Sequence, residues 1–187
     1  MKQARISEYR SRAVYKLQEI DRKDRIFHKG PVVVDLGAAP GSWSQYARRQ
    51  VGLRGKVIAV DLLSLEPIPN VLFIKGDFCE KEIYRECLAS LPEQAADLVI
   101  SDMAPNLTGI RNTDQARSMH LAELVFDFSC QVLRHQGAML VKMFQGQGTE
   151  EFTRRLQQRF HKIRVRKPIA SQDKSREFYI LAQGYDV

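Results

Sequence analysis

Short runs rich in β-branched residues recur along the chain, each followed by a stretch of helical periodicity, and this alternation is what most limits the folds open to it. Pro31-Val-Val-Val-Asp-Leu-Gly37 is continuous and apolar, the pattern of a strand covered on both faces. Strands of the same kind are predicted over Lys56–Asp61, Val71–Ile74, Asp97–Ser101 and Ala138–Lys142, with two closing strands at Lys162–Arg166 and Phe178–Ala182. Helices are predicted between them over Ser42–Gln50, Lys81–Ser90, Asp114–Leu133 and Glu150–Phe160. Ahead of the first strand, Ala13, Val14, Leu17 and Ile20 recur at helical spacing, with Ser11 as N-cap, so an amphipathic helix is expected to run to Asp24. Parallel strands require crossover connections, so the alternation implies a Rossmann-like α/β fold: a mostly parallel seven-stranded sheet with helices on both faces. The 187 residues contain no internal repeat and no linker, and are expected to form a single domain over 1–187.

Charge narrows the partners. The chain carries 29 Lys and Arg against 22 Asp and Glu, a formal charge of +7, which favours a polyanion through counterion release. A solvated basic surface is the alternative. The three cysteines, Cys79, Cys87 and Cys130, have no C-x-x-C spacing, which argues against a disulfide framework or a zinc site and fits a reducing cytoplasm. Cys130 falls in an apolar helical pattern and is expected to be a small core residue. The first twelve residues lack an apolar run, so neither secretion nor membrane insertion is expected.

In folds of this class ligands bind beyond the carboxyl ends of the strands. After the first strand stands Asp35-Leu-Gly-Ala-Ala-Pro-Gly41-Ser-Trp-Ser, a turn in which Gly37 and Gly41 permit close backbone approach to a ligand. It is neither G-x-G-x-x-G nor a phosphate-binding G-x-x-x-x-G-K-[ST] loop, which disfavours a pyrophosphate. Asp61, 20 residues beyond Gly41 at the end of the second strand, is suited to accept hydrogen bonds from ribose hydroxyls. Asp77 ends the third strand, where a carboxylate could accept from an exocyclic amine or serve as a turn residue. Trp43, the one tryptophan, is either core packing or a wall of the ligand site.

Ser101-Asp-Met-Ala-Pro-Asn106 follows the fourth strand and Val141-Lys-Met-Phe-Gln-Gly146 includes the end of the fifth. Together with the glycine turn, Tyr15-Lys-Leu17 and Ser175-Arg-Glu-Phe-Tyr179, these segments resemble the FtsJ-like ribosomal RNA 2′-O-methyltransferases from about Ser11 to Gln183. The resemblance implies a catalytic tetrad at Lys16, Asp102, Lys142 and Glu177, and S-adenosyl-L-methionine contacts at Gly41, Trp43, Asp61, Asp77 and Asp102, with no metal. It also implies that residues 1–30 supply the first lysine and RNA contacts, and that the target is a uridine of large-subunit ribosomal RNA, modified by a monomer within the ribosomal subunit. Two features depart from the family pattern. Ser42 stands where bacterial members usually carry a second glycine, and the N-terminus lacks the longer basic segment common in the family.

The chemistry asks for little beyond alignment and timely proton removal, because a sulfonium methyl already has a good leaving group and a 2′-hydroxyl is a poor nucleophile. A neutral lysine at pH 7 costs about 4.6 kcal/mol against an ordinary pKa near 10.4, so Lys142 is either a base assisted by Lys16 and partial burial or a group that only positions the hydroxyl. Basic residues gather at Arg154, Arg155, Arg159, His161, Lys162, Arg164, Arg166, Lys167, Lys174 and Arg176, and again at Arg5, Arg10, Arg12, Arg22, Lys23 and Arg25. Both groups flank tetrad positions, and a positive groove leading to the site is expected. Tyr15, Phe144, Phe178 and Tyr179 are candidates to stack on bases, the last two also for the core. Other readings are a transfer RNA or messenger RNA cap 2′-O-methyltransferase, a catalytically idle RNA-binding assembly factor, and a nicotinamide oxidoreductase.

Overall fold

The computed structural model describes residues 9–171 and 176–186. In chain order its elements are α1 (Val14–Asp24), β1 (Val32–Leu36), α2 (Ser42–Val51), β2 (Lys56–Asp61), β3 (Val71–Lys75), α3 (Lys81–Ser90), β4 (Ala96–Ser101), α4 (Arg111–Val132), β5 (Leu133–Phe144), α5 (Thr149–Gln157), β6 (Phe160–Arg166) and β7 (Glu177–Tyr185), with a 3₁₀ turn at Pro92–Gln94. The seven strands form one sheet in the order β3-β2-β1-β4-β5-β7-β6. The pairs among β1 to β5 are parallel, while β7 runs antiparallel to both β5 and β6. This is the expected Rossmann-like sheet, closed at one side by an antiparallel hairpin.

Every residue of β1 is buried, and period-two alternation divides it between two cores. Val32, Val34 and Leu36 face one core with Phe126, Phe128 and Phe152 from α4 and α5, whereas Val33 faces Leu17, Ile20, Trp43 and Ala47 from α1 and α2. Each such fully buried side chain contributes roughly 1.5 to 3 kcal/mol, so helices hold the sheet from both faces.

Boundaries differ from the sequence reading where tertiary contacts override local signals. Ser11 is not an N-cap: its hydroxyl lies 2.7 Å from that of Ser42, and α1 begins at Val14. Helix α4 starts three residues before Asp114, because that carboxylate accepts from the Thr108 amide, the Thr108 hydroxyl and the Gly109 amide and so orders the loop ahead of the helix. Strand β5 is longer than expected because Leu133 already pairs with Ala96, with a register irregularity before the main ladder resumes at Leu98–Ala138.

Helix α1 belongs to no βα crossover, and named polar contacts fasten it down. Asp24, whose side chain is only 2% exposed, receives both the Nε and an Nη of Arg166 at 2.7 Å, and Arg164 lies 3.6 Å away. Hydrogen bonding from Arg166 holds the Asp24 carboxyl below its ordinary value, although burial opposes this. Glu19 accepts the backbone N–H groups of Ile169 and Ala170, and Asp21 accepts the Tyr46 hydroxyl at 2.6 Å. Asp24→Asn would leave two guanidinium groups without their counter-charge, and is expected to cost on the order of 3 kcal/mol in denaturant unfolding. A loss below about 1 kcal/mol, the range of exposed ion pairs, would mean that the contact does not hold the helix.

Asp35, in the middle of the sheet, is completely buried; it accepts the Ser44 hydroxyl at 2.6 Å on Oδ2, while among the described residues Oδ1 has no partner. Burial pushes this carboxyl up to about 7, against the Ser44 hydrogen bond and with help from the charges of Asp102 and Asp61. The folded state therefore keeps a proton that the unfolded chain releases above its ordinary value of 3.8, and stability falls as pH rises through that window. Unfolding free energy should drop by roughly 2 to 3 kcal/mol between pH 5 and 8 through this one group. In Asp35→Asn that component of the slope should vanish; parallel pH profiles for the two proteins would refute the assignment.

Candidate active site

The carboxyl ends of β1 to β4 frame a hollow of about 430 Å³. Gly37 and Ala39 form one wall, Asp61 and Asp77 another, and Asp102, Met103 and Leu121 a third. Gly37, at φ +79°, runs so close to the loop after β4 that an added Cβ would stand 2.5 Å from the Met103 side chain. Gly41, at φ +108°, is equally confined, between Leu65 and the Arg10 guanidinium. Asp61 orders the turn that carries these glycines: its Oδ2 accepts the Ala39 amide at 2.8 Å and its Oδ1 the Leu63 amide at 2.7 Å. Among the described lining residues there are three carboxylates and neither lysine nor arginine, a lining that suits a cationic nucleoside and opposes a pyrophosphate.

Beside the hollow, four charged residues from separate parts of the chain converge. Lys142 near the end of β5 is buried, and its Nζ donates to the Asp102 carbonyl at 2.6 Å and lies 3.0 Å from Asp102 Oδ1. Lys16, carried by α1, pairs with Glu177, the first residue of β7. The β5–β7 register sets Lys142 opposite Tyr179, two residues on from Glu177 and on the same face. Burial pushes the Glu177 carboxyl up, but hydrogen bonds from Lys16 and Ser171 and the charges of Lys16 and Lys142 outweigh it and leave the group below its ordinary value. Glu177 is therefore an anion throughout the neutral range.

Tyr179 is a member of this cluster that the sequence reading did not assign. Fully buried, it donates its hydroxyl to Asp102 Oδ1 at 2.7 Å, so one carboxylate oxygen is shared between Tyr179 and Lys142. Burial and the charge of Asp102 push the phenol far above its ordinary value, so it keeps its proton and donates it to Asp102. Strand periodicity was the available signal, since residues two apart share a face and Glu177 already marked that face.

Two expected contacts, Trp43 and Gly41, lie outside the lining of the hollow. The indole of Trp43 does not line the hollow; it is buried, donates to the Ala13 carbonyl at 2.9 Å and packs 5.8 Å from the Tyr179 ring. A large amphipathic ring satisfies itself best between two elements, here α1 and α2, leaving only the Trp43 backbone in the first turn of α2 near the ligand side. Gly41 likewise stands behind the wall rather than in it. Asp61, Asp77 and Asp102 do line the hollow, although Asp77 also serves as a turn residue, accepting the Cys79 amide at 2.9 Å.

The basic groups divide. Arg10 binds the carbonyls of Pro40, Glu66 and Pro67 and clasps the glycine turn to the loop before β3. Arg154 pairs with Glu151, Arg155 with Glu123 and Asp127, and Arg164 and Arg166 with Asp24. These arginines have internal partners, because a guanidinium beside a carboxylate or carbonyl gains more from that bond than from solvent. Arg12, Arg22, Lys23, Arg25, Arg159, His161, Lys162 and Arg176 are exposed, while Arg5, Lys174 and Ser175 lie outside the described residues. Phe178 and Tyr179 are core residues on opposite faces of β7, which excludes them from stacking on bases.

Residues 9–185 match the FtsJ-like methyltransferase family. The ribosomal RNA large subunit methyltransferase E of Pseudomonas paraeruginosa is 50% identical over 185 residues, 99% of this chain and 89% of that protein. Its counterpart in Marinobacter nauticus is 48% identical over 187 residues, covering 100% of this chain and 90% of the relative. A Plasmodium falciparum structure assigned as a ribosomal RNA methyltransferase superposes with a TM-score of 0.80 at 29% identity, covering 95% of this chain and 98% of that one. With the sheet order, the acidic hollow and the charged cluster already in view, these matches establish that the chain belongs to the FtsJ-like methyltransferase family.

Proposed function

We propose that this protein transfers the methyl group of S-adenosyl-L-methionine to a ribose 2′-hydroxyl of large-subunit ribosomal RNA, with a uridine as the target nucleotide. The observation that carries the reading is the pair of ion pairs at one sheet edge, Lys142–Asp102 and Lys16–Glu177, beside a hollow walled by Asp61, Asp77 and Asp102. The names of the relatives, large-subunit ribosomal RNA methyltransferases, support the substrate class. Three free cysteines support a reducing compartment, and the basic surface supports an RNA partner.

The donor, when bound, supplies an electrophilic methyl on a sulfonium. Asp61 and Asp77 would hold ribose hydroxyls and the adenine amine, Asp102 would face the positive end, and Gly41 and Trp43 would contribute backbone groups of the glycine turn and the first turn of α2. Lys142 is the group that meets the acceptor. Two directions around its Nζ are taken by the carbonyl and carboxylate of Asp102, and the remaining tetrahedral position faces the 2′-hydroxyl; in the neutral amine the lone pair stands there and takes the hydroxyl proton, returning Lys142 to the ammonium form. Tyr179 locks the Asp102 carboxylate from the other side. Lys16, fixed by Glu177, supplies a second cation to orient the ribose, and in this way residues 1–30 serve the site as part of one methyltransferase domain.

Lys142→Ala tests the reading directly. Transfer of labelled methyl to large-subunit RNA should fall by about 10²- to 10⁴-fold, the range for loss of a general base, while the equilibrium affinity for S-adenosyl-L-methionine stays within a factor of two or three. Turnover close to that of the unaltered protein would end the mechanism, and equal loss of donor binding would make Lys142 a cofactor ligand instead.

A further inference from the structure

A second hollow, of about 530 Å³, opens beyond the end of β5 between that strand's exit loop and the first half of α4. Its walls carry Arg111, Gln115, His120, Gln145 and Gln147, with Ala116 on the helix side. We propose that it is a nucleobase subsite that takes the unstacked base of the RNA strand presented to Lys142, an assignment that rests on the function proposed above.

Position supports this. Gln145 follows Lys142 by three residues, about 10 Å along an extended strand, within reach of the same or the adjoining nucleotide. Phe144 pairs with Glu177, and the Gln145 amide donates to the Arg176 carbonyl at 3.1 Å, so the hollow begins where the Lys16–Glu177 pair ends. The acidic hollow lies nearby: Ala116 and His120 also border an open depression with Pro105, Asn106 and Leu121, and these three border the acidic hollow in turn. The two hollows are thus neighbours on one side of α4.

Lining chemistry selects the occupant. Three glutamine amides, each with donors and an acceptor, suit the hydrogen-bonding edge of a neutral base, and His120 offers a ring to stack on it. Glu123, the one carboxylate among the described lining residues, is paired with Arg155 at 2.9 Å. The contrast with the three aspartates of the first hollow is plain, and Arg111 at the rim is suited to a phosphate. The subsite is also preformed. Gln115 Nε2 donates to the Gln147 carbonyl at 3.2 Å, and Gly146 packs so tightly on Gln115 that an added Cβ would stand 2.5 Å from it.

Ala116→Trp fills the hollow from an exposed helical position, and Gln115→Ala removes one amide without adding bulk. With isolated large ribosomal subunits as probe, Ala116→Trp should bind at least 10-fold more weakly and Gln115→Ala about 3- to 10-fold, with donor affinity and melting temperature unchanged. The dependence of RNA affinity on salt should keep its slope in both variants, whereas Arg111→Ala should reduce it by about one. Unaltered RNA binding by a folded Ala116→Trp overturns the subsite, as does a reduced salt slope in Gln115→Ala, which would mark a phosphate pocket. If the unaltered protein binds the subunit but transfers no methyl, the proposed function fails alone; if it does not bind, both fail.

Discussion

Everything at this site depends on holding ammonium groups close together where water is scarce, and the fold solves the problem by giving each its own carboxylate from a different strand. Lys142 and Asp102 come from neighbouring parallel strands, so their approach follows from the β4–β5 register. Lys16 comes from a helix outside the sheet, and its approach to Glu177 has no such guarantee. The buried Asp24–Arg166 contact and the Glu19 cap on the loop after β6 supply it, holding α1 against the hairpin whose second strand begins at Glu177. The cost of burying these charges is offset only while every partner is in place.

Charge is sorted along the sheet edge. Asp35, Asp61, Asp77 and Asp102 lie in or behind the hollow over β1 to β4, and the lysines meet them only at Asp102. Burial is what chiefly pushes Asp35 up to about 7, and the charges of Asp102 and Asp61 add to it. A positive ligand placed in the hollow would offset those two charges, so the acidic lining and the buried carboxyl behind it are electrostatically linked.

The sheet and its helices were legible because their signals are local: β-branched runs for buried strands and helical spacing between them. Asp102 and Lys142 stood out near strand ends, and the family resemblance added Lys16 and Glu177 to complete the set of four. What escaped was pairing across distance. Arg10, Arg164 and Arg166 read as RNA-binding charge, since nothing within a few residues of them announces Asp24, 142 residues from Arg166, or the carbonyls of the loop before β3. Trp43 read as either core packing or a ligand wall, because the direction of a helical side chain is decided by what packs on the helix, here Ala13 and Tyr179. Tyr179 was half legible: strand alternation placed it with Glu177, but its bond to Asp102 required the order of strands.

The antiparallel strand explains why an acid from the end of the chain can serve a site built at the carboxyl ends of parallel strands. A parallel strand beside β5 would bring its last residues to that edge, where they lead on into a loop. Because β7 is reversed, it is the first residue, Glu177, that arrives there, opposite Phe144, and Tyr179 follows opposite Lys142. Lys167, which follows β6, donates to the Glu177 carbonyl at 2.8 Å. Reversing a single strand thus delivers the second carboxylate and the tyrosine that fixes the first to one edge, which no extension of the parallel pattern could do with residues so near in sequence.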